Sequence, residues 1–349
     1  MTNVFSELLQ FRGSHYDFGL YQGERLKHSP ILAHRQKQWG TKSMRERHFI
    51  INEESYRSVM QTFSPKIMEE IEGLADALRI SSEDAIREFG GYYLEYGHSG
   101  CSIFTGDTYM VRNYDNSPDS YEGRYVLFQP SDGGFATIGP TMQITGRTDG
   151  INEKGLAMGY NFINRKKSQD GFVCNMIGRI VLENCATIQD AIDLLKEIPH
   201  RHSFTYVLLD TQERSVVVEA SPRSVAVREA NVCTNHFQLL TEENRYRMED
   251  SERRYAAIEK NRETVGSALD AFRMLNDIEK GVFSTKYGAW AGTLHTALYL
   301  PDSLKVGFSL GNNRLPLMMD FGKWLNGERM NAVKIKGTIQ SKEPFINVP

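Results

Sequence analysis

An α+β fold built on antiparallel sheet is predicted by three observations. Short strand-like runs follow one another in groups, as at Ser102–Phe104, Tyr109–Val111, Tyr125–Phe128 and Leu156–Phe162. Helical stripes come in blocks between those groups rather than after each strand, which is unlike a regular βαβ alternation. The chain has 349 residues, 40% hydrophobic and 24% charged, enough for one large domain or about two ordinary ones.

The first hundred residues read as mostly helical. Ser64-Pro65 followed by Ile67, Ile71, Leu74, Ala75 and Leu78 is an N-cap, a proline at the first helical position and one apolar stripe. Ser81 with Asp84 marks another helix start. The texture changes at Cys101, where strands and turns take over to about residue 165. One helix is expected from Met176 to Leu195, with Ile177, Ile180, Val181 and Leu182 on one side. Strands at Phe204–Leu209, Ser215–Glu219, Val225–Arg228 and Val232–Phe237 follow. Helices are expected over 250–260 and 267–277, the second capped by Ser267 and Asp270. Strands Leu294–Leu300 and Leu304–Ser309 precede a mixed tail.

Charge excludes one class of partner. Lys plus Arg is 41 and Asp plus Glu is 44, a net charge of −3, which argues against a nucleic-acid binder with a large basic surface. No apolar run approaches the roughly 18 residues that span a bilayer. The opening residues, Met1 to Glu7, lack a basic stretch before an apolar core, so a cytoplasmic location with reduced thiols is expected. The four cysteines, 101, 174, 185 and 233, form no Cys-x-x-Cys pair. No metal or other cofactor is expected, since P-loop and dinucleotide glycine patterns are also missing.

The strongest chemical signal runs from Gly100 to Asp115. Gly106-Asp107 reads as a Gly-first two-residue hairpin loop. That loop sets Cys101 directly opposite Arg112, with Asp115 three residues further on. A guanidinium beside a thiol favours the thiolate. The competing reading is an ordinary hairpin with a buried cysteine and a surface arginine, and the geometry alone leaves both open.

Gly100-Cys101 with Arg112-Asn113-Tyr114-Asp115 resembles the start of the mature chain in N-terminal-nucleophile (Ntn) hydrolases. The resemblance is to the acyl-coenzyme A:isopenicillin N acyltransferase (penicillin acyltransferase) family and its choloylglycine hydrolase relatives. It continues through Asp149-Gly150-Ile151-Asn152-Glu153-Lys154-Gly155-Leu156, Gly159-Tyr160-Asn161-Phe162 and Thr234-Asn235-His236-Phe237. It implies a four-layer αββα sandwich. It also implies a pro-segment, 1–100, cut from a catalytic domain, 101–349, between Gly100 and Cys101. The pro-segment would stay on as a partner chain. Cys101 would be the nucleophile and its freed amine the base; Arg112 and Asp115 would hold that end, and Asn161 and Asn235 would serve the oxyanion. A glycine before the cysteine would ease the conformation needed for cutting. A further arginine is expected from Arg253 or Arg254. The substrate would be a small acyl amide or acyl thioester. Arg112 is the choloylglycine hydrolase form, and the Cys-to-Arg stretch is short, so neither acyl-CoA use nor bile-salt cleavage follows. A homo-oligomer is left open.

Other arrangements compete. Cys101, His295 and Asn235 would make a conventional thiol-protease triad, and an αββα binding or scaffold protein would carry the same elements without cutting itself. Cys174, Cys185 and Cys233 read as core packing. His200-Arg201-His202 lacks thiol or carboxylate companions at ligand spacing and reads as a loop.

Overall fold

The structure is a computed structural model, described over residues 1–39, 52–92, 100–163, 168–212, 215–289 and 291–346. The chain opens with strand β1 (Thr2–Gly13) and helices α1 (His15–Leu26) and α2 (Pro30–Trp39). Helices α3 (Glu53–Phe63), α4 (Pro65–Leu78) and α5 (Ser82–Phe89) follow. Then come β2 (Gly100–Thr105), β3 (Met110–Asn116), β4 (Arg124–Pro130) and β5 (Thr137–Met142). Next are β6 (Gly146–Arg147), β7 (Asp149–Asn152) and β8 (Ala157–Phe162), then helices α6 (Cys174–Asn184) and α7 (Ile188–Glu197). Strands β9 (Phe204–Leu209), β10 (Val216–Ala220), β11 (Val225–Glu229) and β12 (Val232–Cys233) lead to α8 (Glu249–Asn261) and α9 (Ala268–Asn276). The last elements are β13 (Gly292–Leu300), β14 (Lys305–Leu310), β15 (Leu317–Asp320), α10 (Phe321–Leu325) and β16 (Lys334–Ile339).

Among the described residues the strands form two sheets. The larger runs β11-β10-β9-β8-β7-β5-β4-β1-β16, with β6 paired to β5; the smaller runs β12-β2-β3-β13-β14-β15. Alternation along each strand sorts side chains into separate cores. Between the sheets lie Cys101, Ile103 and Phe308 from one and Leu127, Val207 and Val217 from the other. Tyr206 and Val218, on the opposite face, pack with Ile177, Ile180 and Leu195 of α6 and α7. On the far side, Phe104, Val111 and Leu298 pack against Ile258 of α8 and Phe272 of α9. The order is helix, sheet, sheet, helix, the four-layer αββα arrangement.

One expectation changes and another gains an element. The helix expected over 176–195 is two helices, because Thr187 and Asp190 form a capping box that starts α7 and the chain turns at Cys185. The segment before Cys101 is not only helical. β1 is an inner strand, parallel to β4 and antiparallel to β16. Its partners lie over a hundred residues away in sequence, so no local signal announces it. Among the described residues no helix is long and apolar enough to cross a membrane.

Candidate active site

Cys101 is the second residue of β2 and is fully buried on the face between the sheets. The β2–β3 register pairs Cys101 with Tyr114 and Ile103 with Arg112, two residues away from the pairing expected from the loop. The turn explains the difference. Gly106 N donates to Tyr109 O at 2.9 Å, so the tip is Asp107-Thr108. The Tyr109 ring covers Gly106, where an added Cβ would come within 2.5 Å of it. A slip of two leaves every side chain on its original face, because strand alternation has period two. Arg112 therefore still reaches the thiol diagonally, with Nη2 3.5 Å from Sγ.

Arg112 is fully buried and held on all sides. Nη1 donates to Thr148 O at 2.7 Å and to Asp149 Oδ1, and Nη2 also donates to Tyr160 O. Its guanidinium carbon lies 4.8 Å from the Tyr114 ring centre and 4.9 Å from that of Tyr160. Burial pulls its pKa down, but Cys101 and Asp149 outweigh burial and hold the guanidinium above its ordinary value. Burial likewise pushes the Asp149 carboxyl up, but His295 and Arg112 bring it well below the usual range.

The backbone of Cys101 is gripped from the helix side. Its N–H donates to Asn235 Oδ1 at 2.7 Å, and Arg254 Nη1 donates to its carbonyl oxygen. Arg254 also donates to Ser102 Oγ and Asn235 Oδ1, both at 2.8 Å, and to Asp250 Oδ2 at 3.0 Å. Of the two arginines left open by the sequence, Arg254 is the buried one at the site. Arg253 points outward to Asp250 and the Gly281 carbonyl. Asp250 pairs with both, three residues from Arg253 and four from Arg254 on α8, so helical spacing does not choose between them.

Asp115 pairs in register with Gly100, on the face away from the thiol, and accepts from Thr293 Oγ1 at 2.6 Å. Burial pushes its carboxyl up to about 7, against the opposing pull of Arg254. Gly100 lies in an extended strand, outside the left-handed region. An added Cβ there would lie 3.4 Å from Asp115 Oδ2 and 3.5 Å from Arg254 Nη2, ordinary contacts. Neither the backbone angle nor the space around Gly100 requires a glycine in this conformation.

Asn161, near the end of β8, and Asn235, two residues after β12, come together. Asn161 Nδ2 donates to Thr234 O at 3.3 Å, and Asn235 Nδ2 donates to Phe162 O at 2.9 Å. These reciprocal ties join the two segments, with Asn235 the one bonded to Cys101, and both amide nitrogens point at backbone carbonyls. A cavity of about 280 Å³, lined by Asn235, Arg254, Arg247, Asp250 and Lys286, reaches this cluster from the α8 side.

The remaining thiols differ in kind. Burial raises Cys174 and Cys233, and pushes Cys185 up to about 12. His295 lies two strands from Cys101 in the same sheet, about 10 Å away, with Tyr114 between them. Its ring stacks on Tyr114 at 5.1 Å, and Nε2 lies 3.1 Å from Asp149 Oδ1. Asp149 appears in the sequence only as part of a longer block; its place behind Arg112 comes from the fold.

Residues 104–315 match the family described as acyl-coenzyme A:6-aminopenicillanic acid acyl-transferase, and the chain belongs to that family. The match begins three residues after Cys101. No curated protein sequence is similar enough to count as a match. Among solved structures, the chain is similar to a conjugated bile acid hydrolase variant from Clostridium perfringens, with 14% identity, 71% of this chain and 98% of that one covered, and a TM-score of 0.46. It is similar to penicillin V acylase from Agrobacterium tumefaciens at 15% identity, covering 64% and 86%, with a TM-score of 0.42. An N-acylethanolamine-hydrolyzing acid amidase ortholog from Caenorhabditis elegans gives 15%, 58% and 92%, with a TM-score of 0.41.

Proposed function

We propose that this protein is a self-cutting cysteine amidohydrolase or acyltransferase of the Ntn type, with Cys101 as its nucleophile. The observation that carries the reading is the pinning of one residue from both faces: Sγ by Arg112, N–H by Asn235 and C=O by Arg254. A core cysteine needs none of this.

The thiol attacks the Gly100 carbonyl carbon, and the Gly100–Cys101 amide becomes a thioester with a free Cys101 amine. Water then hydrolyses the thioester, releasing the Gly100 carboxylate and restoring the thiol. The new amine, with an ordinary pKa of about 7.7–8.0, serves as base for the same thiol. Thiolate then attacks an acyl amide or thioester. The amine or thiol departs with a proton, and water or an amine takes the acyl group from sulfur. Arg112 favours thiolate over thiol, and Arg254 and Asp115 keep the Cys101 backbone in place. In the cut form the Cys101 amine still carries N–H groups for Asn235 Oδ1, and the Asn235 amide nitrogen, with Asn161 alongside, serves as donor to the oxyanion.

Segment 1–100 is a lasting partner chain on this reading. β1 sits inside the large sheet, and Glu70 of α4 accepts from buried Arg179 of α6 at 2.7 Å. The Cys-His-Asn alternative has less support, because His295 is committed to Asp149 and Tyr114.

The test is denaturing electrophoresis with N-terminal sequencing of purified protein. Two pieces, the second beginning Cys-Ser-Ile-Phe, are expected for the natural chain, and one uncut, inactive chain for Cys101→Ala. A natural chain that stays whole yet releases acyl groups from amides removes the reading.

A further inference from the structure

The thiol's cation has its own support, and that support is where the buried charges close up. Arg112 has two terminal nitrogens with separate tasks. Nη2 faces Cys101 Sγ, while Nη1 is tied to Asp149 and Thr148 O. Among the described residues, no other carboxylate lies within ion-pair distance of Arg112. Asp149 is itself over-determined. Oδ1 also accepts from Thr148 Oγ1 at 2.6 Å and from His295 at 3.1 Å, and Oδ2 accepts from Tyr299 OH at 2.5 Å. Four donors, from β3, from β13 and from Thr148 just before β7, converge on one carboxylate that is fully buried.

We propose that Asp149, held by Tyr299 and His295, is a positioning residue that aims Arg112 at Cys101 and sets how much of its charge the thiol feels. This rests on the reading of Cys101 as the nucleophile.

A guanidinium rotates freely about its stem, and Nη2 stands at 3.5 Å from sulfur, near the limit of a useful contact. Fixing Nη1 on Asp149, together with the Nη2 bond to Tyr160 O, removes that freedom, so the weak sulfur contact does not have to hold the arginine in place. The second effect is electrostatic. The charged or titratable groups around Arg112 and Cys101 are Tyr114 and Asp115 on β3, Asp149 on β7 and Tyr160 on β8. Cys174 of α6, Tyr299 and His295 of β13, and Arg254 at the Cys101 carbonyl complete the set. Burial raises Cys174 and Tyr299 and lowers His295, so all three stay neutral near neutral pH. Asp149 is thus the group that offsets Arg112 directly. Without its charge the guanidinium would draw the thiol toward thiolate at lower pH, while an amide oxygen in its place would hold Nη1 more weakly.

The test is Asp149→Asn beside Tyr299→Phe in the full chain. Self-cutting of newly made protein is followed from pH 5 to 9, and alkylation of Cys101 by iodoacetamide is read by peptide mass spectrometry. Asp149→Asn is expected to cut about 10–100-fold more slowly, from loss of a charged hydrogen bond. Its Cys101 alkylation midpoint is expected to move to lower pH, which a merely structural role would not produce. Tyr299→Phe is expected to slow cutting about 3–10-fold. Folded variants with natural cutting rates and an unshifted midpoint overturn the proposal. If Asp149→Asn gives no cooperative unfolding transition, Tyr299→Phe decides: slowed cutting supports the proposal and a natural rate overturns it. A natural chain that never cuts, and whose Cys101 alkylates no faster than Cys174, Cys185 or Cys233, removes the nucleophile reading and this inference together.

Discussion

Arg254 Nη2 lies 2.8 Å from Asn235 Oδ1, the same oxygen that accepts the Cys101 N–H at 2.7 Å. One carbonyl oxygen thus joins a helix cation to the peptide proposed to be cut. Arg254 Nη1 closes the ring by donating to the Cys101 carbonyl. The guanidinium spans both, which a point charge on a flexible stem cannot do. Arg254→Met is expected to slow self-cutting by about 10–100-fold, the worth of a charged hydrogen bond that holds the Cys101 backbone in place. Arg254→Lys should recover only part of the rate. The fraction cut over time on a denaturing gel measures both, and equal rates for Arg254→Lys and the natural chain would refute the two-handed role.

Asp115 gives stability a specific pH dependence. Its ordinary value is 3.8 and its value in the folded chain is about 7. The folded state holds that proton more tightly than the unfolded state. Its contribution to stability is therefore greatest below 3.8 and declines as pH rises, until the loss is complete above about 7. Asp115→Asn stays neutral and keeps an oxygen for Thr293. Relative to the natural side chain, the variant should gain stability steadily between pH 4.5 and 7 and then level off. Urea unfolding in a Cys101→Ala background, where the chain is expected to stay whole, measures this. A pH-independent difference would show that Asp115 ionises normally.

The pair Glu70–Arg179 joins the segment before Cys101 to the body, with both side chains fully buried. Glu70 also accepts from Gln22 Nε2 at 2.6 Å. Arg179 keeps a second carboxylate, Glu183, at 2.5 Å. Glu70→Gln should therefore cost about 1.5–3 kcal/mol, the worth of a charged hydrogen bond, rather than the full penalty of a stranded charge. Urea midpoints report the loss. Co-elution of the two pieces in gel filtration should also weaken.

Helices α1 and α4 meet through glycines. A Cβ on Gly19 would stand 2.0 Å from Glu70 O, and one on Gly73 would stand 2.2 Å from Tyr16 O. Backbone cannot yield as a side-chain tip can. Gly19→Ala should force the helices apart at a cost of about 1–3 kcal/mol or more. Gly266→Ala, whose nearest neighbour would be 3.8 Å away, serves as the control and should change little. Thermal unfolding of both variants separates close packing from a general effect of replacing glycine.

Much of the site could be read locally. Which residue types gather near Cys101, and which face of its strand they share, depend on two-residue alternation. That is why Arg112 reaches the thiol although the expected register was two residues out. Helix starts at Ser81 and Ser267 are legible because capping is chemistry between neighbours in sequence, and the start at Pro65 is legible from the proline, since Ser64 makes no side-chain cap. The split between α6 and α7 is written in Thr187 and Asp190, within an apolar stripe that runs on across it.

By itself, the sequence determined the layered α+β class, the faces of the strands and the cysteine around which the chemistry is proposed, since each follows from local periodicity or residue type. Only the tertiary structure decided that β1 lies inside the sheet, that Arg254 rather than Arg253 grips Cys101, that His295 serves Asp149, and that Asp149 stands behind Arg112. Those four depend on contacts between segments far apart in the chain, where packing selects one partner from many that local propensity treats alike.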